Sequence, residues 1–236
     1  MKFLTARWSN LFLVNYVVPP ELLTPLLPAG LELDRRDGHS FASLVAFNFL
    51  DTKVLGVPWP GYRNFPELNL RFYVRHGDRR GVVFVREFVP RRLVAWTART
   101  LYNEPYRSAP MRSRVNEENN RLTFELQIDY GGRPHVLQAI GAKPASRPAV
   151  ESVEHFFKEH EWGFNTSHRG TTMRYRVEHP VWDVYRVLEH HIDVDWGMLY
   201  GPKWKVMQAA MPDSTVLAVG SEVTVYSGTA LPPKPV

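Results

Sequence analysis

The sequence predicts a mainly β protein, a β-rich α+β chain with an antiparallel, barrel-like core and a few short helices. Three observations carry this. In ELNLRFYVR, Leu68, Leu70, Phe72 and Val74 alternate with Glu67, Asn69, Arg71, Tyr73 and Arg75, the period of two of a strand. Similar runs recur along the chain, separated by turn pairs such as Asp37-Gly38 and Gly131-Gly132. Helical spacing is confined to short segments, and no internal repeat or long linker divides the chain. Many strands joined by short connections favour closure, which removes sheet edges and encloses an interior able to hold a ligand.

The elements follow in order. Residues 8–18 form a first strand. Pro19-Pro20-Glu21-Leu22-Leu23 opens a short helix, with proline where the missing N–H costs little, and Pro28-Ala29-Gly30 stops it. A hairpin over 31–49 turns at Asp37-Gly38. Residues 51–66 make a loop rich in Gly and Pro whose Trp59, Tyr62 and Phe65 suit packing rather than free solution. After ELNLRFYVR the chain turns at His76-Gly77-Asp78 and returns as GVVFVREFV.

Over 91–104, Leu93, Val94, Trp96, Thr97 and Leu101 fall at helical spacing. Pro105 ends that helix, because the residue before a proline is pushed out of the helical region. RLTFELQIDY is another alternating strand. Residues 150–162 read as a helix with Val153, Phe156 and Phe157 inward and Gly163 as its stop. TTMRYRVEH, the run through EHHIDVDW, and STVLAVGSEVTVY complete the β content. A single domain spans 1–226, and 227–236 reads as a loose tail.

Composition narrows the function classes. The 236 residues contain no cysteine, which excludes disulfides, thiolate nucleophiles and thiolate metal sites. Arg7, Ser9, Asn10 and Asn15 interrupt the N-terminus before it reaches the apolar run of a signal peptide, and nothing approaches a membrane-spanning helix. The expectation is a cytoplasmic protein with no membrane association, and a homo-oligomer is compatible with it. Net charge is +5, and 22 of the 29 basic residues are arginine. Twelve arginines against five acidic residues between 71 and 121 raise a nucleic-acid reading. No helix-turn-helix, zinc-finger or ribonucleoprotein pattern accompanies them, so a solvated basic face is the preferred account.

Histidine offers a second distraction. His191, Asp193 and Asp195 share one face of a strand, with Ile192, Val194 and Trp196 on the other. A water-facing polar side explains this better than a metal, because no tight histidine spacing accompanies it. Neither metal nor cofactor is expected; phosphate-binding glycine loops and a nucleophile elbow are absent as well. His179 precedes Pro180 and reads as structural.

Three stretches carry a resemblance. They are WSNLFLVNYVVPPELLTPLLPAGLEL, then FPELNLRFYVR with ARTLYNEPY after it, then VEHPVWDVYRV with DWGMLYGP after it. Together they resemble an uncharacterised bacterial YqjF-like family, domain of unknown function 2071, in the acetoacetate decarboxylase-like superfamily. The resemblance covers nearly the whole chain except the tail. It implies a conical, barrel-like core with a cavity. In the decarboxylases a strand glutamate points into that cavity, and a turn reading Gly-Phe-Pro-Lys-Lys carries the Schiff-base lysine. By position Glu67 matches the glutamate, Arg99 and Leu101 lead into the turn, and Pro105 matches its proline.

Tyr106 and Arg107 then stand where the two lysines would be. Tyrosine forms no imine, and arginine is never deprotonated. Decarboxylation by the Schiff-base route, in which a neighbouring cation keeps the lysine neutral (acetoacetate decarboxylase is a standard example), is therefore not expected. The remaining lysines are Lys2, Lys53, Lys143, Lys158, Lys203, Lys205 and Lys234, of which Lys203 is the least implausible substitute.

By pattern alone, Glu67, Asn69 and Arg71 are the wet face of an antiparallel strand. The resemblance turns that face inward. The resulting expectation is a cavity for a small anionic or carbonyl-bearing molecule, with Glu67 and Tyr106 as acid–base residues of lyase- or isomerase-like chemistry. Asn69, Arg71, Arg99 and Arg107 would bind the substrate, the arginines as a fork for its anion. A ligand-binding or sensing module without catalysis is the alternative, and an arginine-rich nucleic-acid-binding protein is a third.

Overall fold

The computed structural model describes residues 1–158 and 160–231, and the backbone alone of 97–99, 101 and 102. In chain order the elements are β1 (Lys2–Val17), α1 (Pro20–Leu23), β2 (Glu32–Leu33), β3 (Phe41–Val54), β4 (Phe65–His76), β5 (Arg79–Val89), α2 (Arg92–Tyr102) and β6 (Tyr106–Ser108). Then come β7 (Met111–Glu118), β8 (Arg121–Tyr130), β9 (Arg133–Ser146), α3 (Val153–Lys158), β10 (Trp162–Thr166), β11 (Thr172–Glu178), β12 (Val184–Asp193), α4 (Trp196–Tyr200), β13 (Ser214–Tyr226) and β14 (Thr229–Ala230). The fold is mainly β, as the alternating runs predict.

The described strands form one sheet that closes on itself. The path β11-β10-β5-β4-β3-β1-β13 returns to its start through Val177 opposite Val225 and Glu178 opposite Thr224. From β13 the sheet continues through β12, β9, β8 and β7 as a second layer. Pairing is antiparallel except that β10 and β6 each run parallel to β5.

β4 shows why both layers are needed. Leu68, Leu70, Phe72 and Val74 pack with Phe124 and Leu137 of the second layer and with Trp196 and Leu199 of α4. The other face of β4 carries Phe65 and Tyr73, packed with Val45, Phe47, Phe157 of α3 and Trp182. Of its polar members, Glu67 and Asn69 are only 2% and 3% exposed, Arg71 is half-buried, and Arg75 at the strand's end is exposed. A strand that alternates apolar and polar residues is thus covered on both sides.

Several local expectations change. The Asp37-Gly38 turn forms, with both residues at positive φ (51° and 79°), as a tight two-residue turn requires. However, β2 is two residues long and pairs with β4, not with the following strand. Gly163 does not stop a helix: α3 ends at Lys158, and Gly163 lies inside β10 opposite Tyr175. The run through EHHIDVDW is not one strand, because Asp195 caps α4 by accepting from the Met198 N–H at 2.8 Å.

Of the tail expected over 227–236, residues 232–236 lie outside the described residues, and 227–231 run along the sheet. β14 pairs with β11, and the Leu231 N–H donates to the Thr172 carbonyl at 2.8 Å. In the 51–66 stretch, Phe65 stacks on Phe49 at 4.8 Å and the Arg91 guanidinium lies over Tyr62, while Trp59 stays 55% exposed. No helix among the described residues is long and apolar enough to cross a membrane.

Candidate functional site

The site begins where α2 ends. Asn103 adopts a positive φ of 53°, a left-handed stop that asparagine tolerates, and its Nδ2 donates to the Thr166 carbonyl at 2.6 Å. Pro105 prevents any return to helix. The chain therefore drops into β6, parallel to β5, with Tyr106 beside Glu87 and Arg107 beside Phe88. Strand alternation separates the two side chains. Tyr106 joins the face of Glu87, whereas Arg107 is exposed.

Register then gathers the polar groups. Asn69 of β4 stands directly opposite Glu87 of β5, so the two share a face, and Glu67 lies two residues along the same face. On the other flank of β5, its neighbour β10 contributes Asn165 and the next strand, β11, contributes Tyr175. The Tyr106 hydroxyl donates to Glu67 Oε2 at 3.0 Å, and Asn69 Nδ2 donates to Glu67 Oε1 at 3.0 Å. Asn165 Nδ2 donates to Glu104 Oε1 at 2.9 Å. The Tyr175 hydroxyl approaches Glu104 without completing a hydrogen bond of ordinary geometry. Side chains from β4, β6, β10, β11 and the 103–105 turn thus converge around β5.

Three glutamates, Glu67, Glu87 and Glu104, are thus buried together at 2%, 2% and 7% exposure. Burial dominates their acidity because it penalises the charged form. Glu67 is pushed up to about 7, moderated by its bonds from Asn69 and Tyr106 and by the Arg71 charge. Glu104 is pushed up to about 8. Glu87, between two other carboxylates, is raised further. Burial and the same carboxylates also push the Tyr106 and Tyr175 phenols well above their ordinary value. Around neutral pH the cluster holds protons that exposed glutamates would have released.

A cleft of about 530 Å³ opens onto this cluster. Glu104, Pro105 and Tyr106 line it together with Val85, Arg86, Trp96, Thr100, Asn103, Arg107 and His168. Arg86 is engaged with the Leu199 carbonyl. Trp96 is 62% exposed and stands at the mouth.

Of the residues singled out from sequence, the structure brings Glu67, Asn69 and Tyr106 into hydrogen-bond contact and places Arg107 on the cleft. Arg71 is turned to α3, where its Nη2 donates to the Phe157 carbonyl at 2.9 Å, so it does not fork with Arg107. The Arg99 side chain lies outside the described residues. Lys203 is exposed, and among the described lysines Lys158 alone is buried, beneath Trp182. Asp193 pairs with Arg133, and His179 stacks on Trp182 at 4.1 Å.

Several arginines of the 71–121 region are taken up internally, including Arg71, Arg86 and Arg80, whose Nε reaches Asp34 at 2.6 Å. Glu87, Glu104, Asn165 and Tyr175 escape sequence reasoning. The one legible signal is Glu87, an acidic residue inside the otherwise apolar GVVFVREFV.

Comparison with known proteins agrees with this fold. The model of the DUF2071 family, described as an uncharacterized conserved protein, matches residues 5–223. The uncharacterized protein YqjF of Bacillus subtilis (strain 168) is 27% identical over 179 residues, covering 74% of this chain and 72% of that one. An acetoacetate decarboxylase-like enzyme from Sphingomonas wittichii RW1 superposes with a TM-score of 0.67 at 13% identity, over 98% of this chain and 94% of that one. The acetoacetate decarboxylase of Legionella pneumophila gives 0.66 at 13% identity, over 97% and 87%. The enduracididine biosynthesis enzyme MppR gives 0.66 at 13%, over 98% and 88%. At such identities the structural likeness establishes the fold alone.

Proposed function

The chain belongs to the DUF2071 family, and we propose that it binds a small carbonyl- or carboxylate-bearing organic molecule in the 530 Å³ cleft and performs acid–base chemistry on it without a Schiff base. One observation carries the reading. Tyr106, on the cleft floor, donates to a buried Glu67 whose acidity lies at about 7. A carboxyl balanced near neutral pH can both give and accept a proton, and a phenol bonded to it can pass that proton to a ligand it touches. Tyr106 would be the contacting group and Glu67 the group behind it. Arg107, exposed at the mouth, would meet an anionic end of the ligand.

The residues that replace the two lysines support a departure from imine chemistry. Neither Tyr106 nor Arg107 supplies a neutral amine. We read the chain as cytoplasmic and as needing no cofactor for this chemistry.

The test is a thermal-shift screen of small keto, hydroxy and amino acids, followed by product analysis of each binder. A ligand at a hundred times its dissociation constant adds about 2.7 kcal/mol, a shift of roughly 5–11 °C for a domain this size. Turnover that falls about a hundredfold or more in Glu67→Gln supports the acid–base role. Unchanged turnover in that variant removes it.

A further inference from the structure

We propose that the acidic floor of the cleft receives a cationic nitrogen, an ammonium or guanidinium group, so that the ligand is an amino or guanidino acid with its carboxylate toward Arg107. This deepens the small-molecule reading above and rests on it.

The hydrogen-bond inventory of the floor points this way. Asn69, Tyr106 and Asn165 supply donors to Glu67 and to one oxygen of Glu104. Glu104 Oε2 and Glu87 Oε1 are buried oxygens that complete no hydrogen bond of ordinary geometry, although the Tyr175 hydroxyl lies near Glu104 and Tyr106 near Glu87. Buried oxygens of this kind are costly to leave unpaired. Glu104, 7% exposed, is the one glutamate of the three that lines the cleft, and its Oε2 is buried behind that lining. A ketone or carboxylate brings acceptors only, which Glu104 can meet only while it keeps its proton. An ammonium brings three donors and a guanidinium five, each with a positive charge that suits a carboxylate.

A metal ion is a poorer match. Among the described residues no three His, Asp or Glu side chains close to coordination distance.

The chemistry of the turn adds an independent argument. With Pro105 aligned to the proline of the decarboxylase turn, that motif's Phe corresponds to Glu104 and its lysines to Tyr106 and Arg107. The floor has gained an acid and lost two amines, and the one cation retained is exposed. Arg71, the cation whose charge reaches Glu67, is engaged with a backbone carbonyl. The floor carries acids that stay partly protonated near neutral pH, and a ligand cation would favour their ionised form. Binding therefore releases protons, since the cluster is still partly protonated near neutral pH.

The experiment is isothermal titration of the wild-type protein at pH 7.5 in two buffers of different ionisation enthalpy. The probes are 4-guanidinobutyrate, 4-aminobutyrate, 4-ureidobutyrate and butyrate. The ureido compound copies the guanidino shape without its charge. The expected result is affinity for a cationic probe about tenfold or more above that of the ureido compound, with net proton release seen as a buffer-dependent heat. In Glu104→Gln that preference and the proton release should both shrink.

Equal binding of guanidino and ureido probes overturns the proposal, and so does binding without proton release. If butyrate and keto acids bind while the cationic probes gain nothing, this inference fails and the small-acid reading stands. If no acid of either kind binds, both fail.

Discussion

A Cβ added to Gly163 would overlap Cζ of Tyr175 and lie only 2.5 Å from its hydroxyl oxygen. The two residues are cross-strand partners in β10 and β11, and the ring of Tyr175 occupies the space that glycine leaves. Glycine is needed here for closeness, not for backbone freedom. That contact sets the position of the phenol facing Glu104, so the smallest possible substitution reaches the candidate site.

Gly163→Ala should therefore displace Tyr175. Overpacking of a fitted site costs typically about 1–3 kcal/mol. Differential scanning calorimetry should show a lowered Tm, and the double variant Gly163→Ala with Tyr175→Phe should recover little of it, because the ring carbons clash as the hydroxyl does. Gly163→Ala with Tyr175→Ala should recover more. Additive losses in the second pair would show that the glycine serves something other than the ring.

Stability should fall as pH rises from about 6.5 to 8. Glu67 and Glu104 have folded acidities near 7 and 8, above their ordinary value of 4.5. The folded state then holds more protons than the unfolded chain, and stability is lost as pH climbs through the folded values. Below 6.5 a buried histidine opposes this. His160, beside Asp34, is held down at about 4, chiefly by burial. Its folded form binds fewer protons than the unfolded chain between about 4 and 6.5, so it adds stability with rising pH there. Urea denaturation at pH 6.5 and 8 should differ by on the order of 1–2 kcal/mol. Glu104→Gln should flatten that slope, and a slope that survives it would remove Glu104 as a source.

Tyr106→Phe should raise the pKa of Glu67, because it deletes a hydrogen bond that stabilises the carboxylate. Infrared difference titration of the carboxyl stretch checks this. A downward shift would mean that the phenol is not bonded to Glu67. Binding of small acids should weaken in the same variant, since the hydroxyl sits on the cleft floor.

Trp96→Ala separates the cleft from the core. Its side chain is 62% exposed, so stability should change by no more than about 0.5 kcal/mol. Yet Trp96 lines the mouth, so ligand affinity should fall several-fold. Arg107→Ala, also exposed, should weaken anionic ligands and leave neutral ones alone. A large drop in Tm for either variant would contradict the exposed placement.

Much of the fold was legible locally. The period of two in ELNLRFYVR specifies a strand and its two faces, and Asp37-Gly38 specifies a tight turn. Pro105 specifies the end of α2 within a few residues. That neither residue after that proline is a lysine is visible in the sequence alone, and no imine can form at Tyr106 or Arg107.

Periodicity, however, assigns a residue to a face without saying what covers that face. On pattern alone the polar side of β4 belonged in water; ring closure and α3 bury it. Pairing of β10 with β5 and of β11 with β10 carries Asn165 and Tyr175, roughly sixty to seventy residues downstream, to within reach of Glu104. Register pairs Asn69 with Glu87, and parallel pairing sets Tyr106 beside Glu87 while turning Arg107 away. The sequence determined which side chains were available and which chemistry they excluded. Only the tertiary structure decided that three carboxyls meet out of water, because their meeting depends on contacts between strands distant in the chain and on the burial those contacts create.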